Sequence, residues 1–150
     1  MLYLKRTDSA DTDFLELVSA LDRDLRRRDG AEQNDYYARF NKVNAIRHVV
    51  VAYEGSVPVG CGAIKAFDDD AMEVKRMWVN PQHRGKGIAR SVLAELEKWA
   101  RELGSRRCVL ETGQKQPEAL GLYRTSGYQV IPNYGQYVGV ANSVCFEKGL

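Results

Sequence analysis

The segment from Arg76 to Leu103 limits what this chain can fold into more than any other. It opens on an apolar strand end, Arg76-Met77-Trp78-Val79, and passes through Asn80-Pro81-Gln82-His83-Arg84-Gly85-Lys86-Gly87. Apolar residues then recur at Ile88, Ala89, Val92, Leu93, Leu96, Trp99, Ala100 and Leu103. That spacing follows one face of an α-helix over 85–103, and Gly104 reads as its C-terminal cap. A strand, a glycine turn and a helix in this order set the helix N-terminus beside the strand end. Gly85 and Gly87 let backbone N–H groups crowd toward one point, Arg84 and Lys86 add positive charge, and the helix start adds its dipole. Such a turn suits a pyrophosphate. It is not the Gly-x-Gly-x-x-Gly dinucleotide fingerprint, since position 90 is Arg, nor the nucleotide P-loop, since Gly87 follows Lys86.

The remaining elements assemble around this unit. Residues 2–6 read as a strand, and Asp11 or Thr12 caps a helix with an apolar face of Phe14, Leu17, Val18, Leu21 and Leu25. A second helix is predicted near 33–43. Residues 47–53 and 57–66 form a hairpin about Glu54-Gly55-Ser56, and Asp68-Asp69-Asp70 marks the next turn. A central strand over 73–79, a buried strand over 107–112, a helix over 117–126 and closing strands at 128–131 and 143–147 complete the order. Antiparallel hairpins combined with a strand-helix-strand unit over 73–112 predict an α/β (α+β) sandwich with a mixed sheet.

The 150 residues are the length of one domain, here 1–150. Hydrophobic content of 44% with 28% charged residues is that of a soluble globular chain, and no apolar run has the length of a membrane span. The start lacks the long apolar core of a secretory signal, so a cytoplasmic location and no membrane partner are expected. A net charge of +2 gives no argument for nucleic acid, and Arg26-Arg27-Arg28 reads as cations at a helix C-terminus. Cys61, Cys108 and Cys145 lie in apolar strand-like stretches without paired spacing, so reduced, buried thiols and no metal site are expected.

Gln82-His83-Arg84-Gly85-Lys86-Gly87 resembles the Gln/Arg-x-x-Gly-x-Gly/Ala signature of the GNAT superfamily of acetyl-CoA-dependent N-acetyltransferases. Ala119-Leu120-Gly121-Leu122-Tyr123-Arg124-Thr125-Ser126-Gly127-Tyr128 resembles that family's second segment, and the order of elements agrees along nearly the whole chain. The wider pattern looks like a bacterial subgroup of small stand-alone members. The resemblance implies a mostly antiparallel central sheet flanked by helices, whose two parallel central strands, 73–79 and 107–112, splay apart to admit acyl-CoA. It implies acetyl-CoA as co-substrate. Backbone groups of Met77, Trp78 and Val79 would hold the pantetheine arm and polarise the acetyl carbonyl. Arg84, Gly85, Lys86, Gly87, Ile88, Ala89 and Arg90 would hold the pyrophosphate. Many members carry Asn ahead of the second segment; here Gln114 or Gln116 could substitute.

The resemblance makes Tyr123 the general acid, a role that suits a hydroxyl whose ordinary pKa of about 10 keeps it protonated at neutral pH. Glu73 is the first general-base candidate. Period-two alternation places it on the face of Lys75, Met77 and Val79. The alternative is a solvated carboxylate paired with Lys75 or Lys65, and Glu111 is a second candidate base. His83 reads as a solvent-facing filler. Neither His83 nor His48 has the spacing of a covalent acyl-enzyme, which favours direct transfer.

Acceptor specificity is expected from Tyr36, Tyr37, Arg39, Phe40 and Lys42 and from Asn133, Tyr134, Gln136 and Tyr137; the same residues could instead cover the core or form a homodimer contact. A small-molecule amine, such as an amino acid, polyamine or drug-like amine, is the expected acceptor. A protein or peptide acetyltransferase and a non-catalytic acyl-CoA sensor are the alternatives.

Overall fold

The computed structural model describes residues 1–29 and 46–150. The helix expected at 33–43, with Tyr36, Tyr37, Arg39, Phe40 and Lys42, lies outside the described residues. The elements are β1 (Leu2–Thr7), α1 (Thr12–Asp29), β2 (His48–Glu54), β3 (Val57–Asp68), β4 (Ala71–Val79), α2 (Ile88–Glu102), β5 (Arg107–Gly113), α3 (Pro117–Thr125), β6 (Gln129–Ile131) and β7 (Ser143–Gly149). The strands form one sheet in the order β1-β2-β3-β4-β5-β7-β6. Every pairing is antiparallel except β4 with β5.

Helices cover both faces of this sheet, which is why β2 carries five consecutive buried residues, Val49 to Tyr53, instead of an alternating pattern. On one face α1 lays Phe14, Leu17, Val18 and Leu21 over Val49, Val51, Cys61, Ala63 and Trp78. On the other, α2 contributes Val92, Leu93, Leu96 and Ala100 to a core with Val50, Ile64, Val74, Leu110 and Phe146. At the start of α1, the Asp11 carboxylate accepts a 3.0 Å hydrogen bond from the Phe14 N–H, satisfying one of the orphan donors there. Among the described residues the expected order of elements is present, with β7 inserted between β5 and β6 in the sheet.

Two local departures shape the site. The long helix begins at Ile88, not 85. Pro81–His83 forms a 3₁₀ turn, and Gly85 and Gly87 hold φ of 81° and 80°, a left-handed backbone that no helix continues. The second departure is a bulge in β4. Pairing with β3 moves from Cys61↔Trp78 to Ala63↔Lys75, and Arg76 takes φ 59°. The extra residue reverses the alternation of the strand. Met72 and Val74 face α2 before the bulge, and Met77 and Val79 face it afterwards. The expectation that Glu73 and Lys75 share a face with Met77 and Val79 is therefore corrected: the bulge puts the two pairs on opposite faces.

Candidate active site

The parallel ladder between β4 and β5 is short, running from Ala71↔Arg107 to Glu73↔Val109. Beyond it the strands part, and residues 74–79 lose their ladder with β5. A cavity of about 600 Å³ occupies the opening. Its walls come from α1, the C-terminal half of β4, the turn after β4, the start of α2, the end of β5, and α3. Because the opening lies between strands, side chains enter it from both faces of the sheet.

From the α2 face comes Tyr123, on α3. It is 5% exposed, packs edge-on against Tyr128 at 5.7 Å between ring centroids, and lies 6.0 Å from the Phe146 ring. Burial, and then the negative charge of Glu111, push its hydroxyl above the ordinary tyrosine range. Its hydroxyl is protonated at neutral pH.

From the α1 face come Glu73, Lys75 and Glu111. Glu73 is buried, so the solvated-carboxylate alternative is corrected: β4 is a central strand and the loop after β6 roofs this face. The Tyr134 hydroxyl donates to Glu73 Oε2 at 2.7 Å, and Lys75 Nζ stands 4.0 Å from Oε1. Burial lowers the Lys75 ammonium pKa, opposed by Glu73 and Glu111. Ser143 Oγ donates to Glu111 Oε2 at 2.7 Å. Tyr137 is fully buried and also reaches the cavity. Asn133 serves to hold this loop: its Nδ2 donates to the carbonyls of Tyr137, Val140 and Ser143.

At the other end, Met77, Trp78, Val79, Arg84, Gly85, Gly87, Ile88, Ala89 and Arg90 all line the cavity. A Cβ added to Gly85 or Gly87 would meet nothing within 4 Å, so their positive φ, not crowding, is what calls for glycine. The first N–H groups of α2 receive no side-chain cap. Arg84 is folded back: Nε donates to the Val79 carbonyl at 2.9 Å and its guanidinium stacks on Trp78 at 4.8 Å. Arg90 joins α2 to α3 through the Thr125 carbonyl and hydroxyl and Ser126 Oγ. Lys86 lies outside the cavity lining, 3.4 Å from Glu54, whose other oxygen is 3.3 Å from His83 Nδ1. His83 is thus a half-buried wall residue and not a solvent-facing one.

Several lining residues were not legible beforehand. Leu21, Asp24, Leu25 and Arg28 enter from α1, and Gln116 and Glu118 from the start of α3. Arg28 pairs with Asp24 and with Glu118, tying α1 to α3, beyond the dipole role expected of it. Of the two glutamines considered for the missing Asn, Gln116 lines the cavity, while Gln114 donates to the Ala141 carbonyl.

The model of the acetyltransferase (GNAT) family matches residues 14–128. The chain belongs to this family. An IAA acetyltransferase of Azospirillum brasilense is 36% identical over 138 residues, 91% of this chain and 90% of that protein. A Klebsiella pneumoniae structure, assigned as an acyl-CoA N-acyltransferase, superposes with a TM-score of 0.82 at 28% identity, covering 100% of this chain and 98% of that one. A Thermoplasma acidophilum Paia N-acetyltransferase, solved in complex with coenzyme A, gives 0.75 at 16% identity over 100% and 99% of the two chains, a likeness of fold alone. This GNAT chain is an acetyl-CoA-dependent acyltransferase. Among the described residues no group of three or more His, Cys, Asp or Glu side chains converges as a metal site, and no helix is long and apolar enough to cross a membrane.

Proposed function

We propose that residues 1–150 form a single cytoplasmic N-acetyltransferase domain that moves acetyl from acetyl-CoA directly to a primary amine of a small molecule. The observation that carries this reading is the entry of Tyr123 and Glu73 into one cavity from opposite faces of the splayed sheet. Acetyl-CoA supplies a thioester whose acyl carbon accepts the amine nitrogen and whose sulfur departs as a thiolate. The residues present fit it. The edge of Met77, Trp78 and Val79 that has no ladder with β5 offers backbone groups to an amide-rich pantetheine arm, the Val79 carbonyl being shared with Arg84 Nε. Gly85, Gly87 and the uncapped N–H groups at Ile88, Ala89 and Arg90 offer donors to the pyrophosphate, with Arg84 fixing the turn to the strand.

Glu73, held by Tyr134, takes the proton that the acceptor ammonium must lose, and Glu111 is the alternative base on the same face. Tyr123 gives its proton to the departing sulfur and regains one from solvent. Direct transfer is supported by the state of the thiols. Burial pushes Cys61 up to about 12, and burial followed by Glu97 pushes Cys108 up to about 11, which disfavours a nucleophilic thiolate. The small-molecule class is supported by the aromatic Tyr137 in the cavity wall near Glu73, which Tyr134 holds, and by the relative named as an IAA acetyltransferase.

The test is thiol release from acetyl-CoA against a panel of small amines, amino acids and peptides. Release on a small amine is the expected result. Release on peptides alone would replace the acceptor class, and cofactor binding without release on any acceptor would favour a sensor.

A further inference from the structure

Arg76 stands at the bulge of β4, and its side chain is only 3% exposed. It reaches toward α1, where one terminal nitrogen meets Asp22 Oδ1, and it forms part of the cavity wall. Its Nε is buried and has no hydrogen-bond partner among the described residues. A guanidinium is a planar fork that satisfies a carboxylate through two parallel N–H bonds, and an unmet donor in a buried site is costly. Asp22 leaves this Nε unpaired and is itself 58% exposed at the side chain, a partner that solvent readily takes back.

The same face carries the opposite charge nearby. Glu73 precedes Arg76 by three residues on β4, and Glu111 enters from β5. The α1-face end of the cavity thus presents two carboxylates, the Lys75 ammonium held near Glu73, and the Arg76 guanidinium to whatever occupies it. An acceptor bearing both an ammonium and a carboxylate matches that pattern; a simple amine leaves Arg76 Nε unmet.

Resting on the small-molecule transferase reading above, we propose that Arg76 reads a carboxylate on the acceptor, so that the acceptor is an amino-acid-like molecule whose carboxylate displaces Asp22 while its amine lies toward Glu73 and Glu111. Asp22 then acts as an internal competitor for the acceptor's anionic group.

The experiment compares amino acids with their carboxamides and with the corresponding decarboxylated amines, using wild type, Asp22→Asn, Arg76→Lys and Arg76→Gln. Wild type is expected to favour the carboxylate member roughly 10-fold or more in kcat/KM, mainly through KM. Asp22→Asn should lower KM for the carboxylate member alone, and Arg76→Gln should raise it by a larger factor than it raises KM for the carboxamide. Arg76→Lys should fall between, since it keeps the charge and loses the fork. If Arg76→Gln does not fold, Asp22→Asn at the exposed rim still decides the matter. Equal use of all three acceptor types, with Asp22→Asn neutral, overturns the role of Arg76 and leaves the transferase reading intact. No turnover on any small amine overturns that reading and this inference with it.

Discussion

The hydroxyl of Tyr134 donates a 2.7 Å hydrogen bond to Glu73 Oε2, joining the loop after β6 to the central strand β4. Burial, and then Glu73, keep Tyr134 protonated well beyond neutral pH, so the donor is retained wherever the enzyme works. The bond fixes the carboxylate within the cavity and leaves its other oxygen 4.0 Å from Lys75. Tyr134→Phe removes one charge-assisted bond, a loss of about 1.5 kcal/mol, and should lower kcat/KM roughly 10-fold without changing acetyl-CoA affinity. Glu73→Gln should cost roughly 100-fold or more in kcat. Steady-state kinetics with calorimetric cofactor binding checks both. A larger loss for Glu111→Gln than for Glu73→Gln would move the base to β5.

Gly62 lies opposite the β4 bulge. A Cβ there would meet Leu96 Cδ1 at 2.8 Å and Val92 Cγ1 at 3.0 Å, as well as the Met77 sulfur. Met77 can swing aside, but the two α2 side chains are fully packed. Gly62→Ala should therefore destabilise by about 1–3 kcal/mol, lowering Tm by roughly 2–4 °C for each kcal/mol. Thermal unfolding measures this directly. An unchanged Tm would mean that α2 stands off the sheet more than its packing indicates.

Three buried tyrosines, Tyr123, Tyr128 and Tyr137, and the partly buried Tyr134 set an alkaline limit. Burial is the leading cause that raises Tyr123, Tyr128, Tyr134 and Tyr137 above the ordinary value. A group whose folded pKa is raised contributes stability that is complete below its unfolded pKa, about 10 for tyrosine, and lost as pH climbs through the folded value. Urea midpoints should be insensitive to these groups from neutral pH to about 9 and fall above about 10. A midpoint that holds steady to about pH 11 would show that the four hydroxyls ionise in the folded protein as freely as in the unfolded one.

The strand-turn-helix unit was legible because its signals are local: a helical apolar period, two glycines and a cap. Tyr123 and Glu73 were singled out as candidates through the resemblance, and both line the one cavity. The bulge was not legible. Arg76 is neither Gly nor Asn, so nothing in the local sequence marks its positive φ; across the ladder Gly62 leaves room for Met77. Without the bulge, simple alternation puts Glu73 and Met77 on one face, which the fold does not do. The insertion of β7 between β5 and β6, and the Arg28–Glu118 pair, join residues far apart in sequence that no local period relates.

Tyr123 carries the most direct test of the proposed chemistry. Acetyl-CoA binding and acceptor-dependent thiol release should be measured together on wild type and Tyr123→Phe. The chemistry proposed here predicts equal cofactor affinity, with kcat lowered roughly 100-fold in the variant because the hydroxyl matters most as charge develops on sulfur. Undiminished release from a folded Tyr123→Phe protein would contradict proton donation from α3 and, with it, the assignment of acid and base to opposite faces of the splayed sheet.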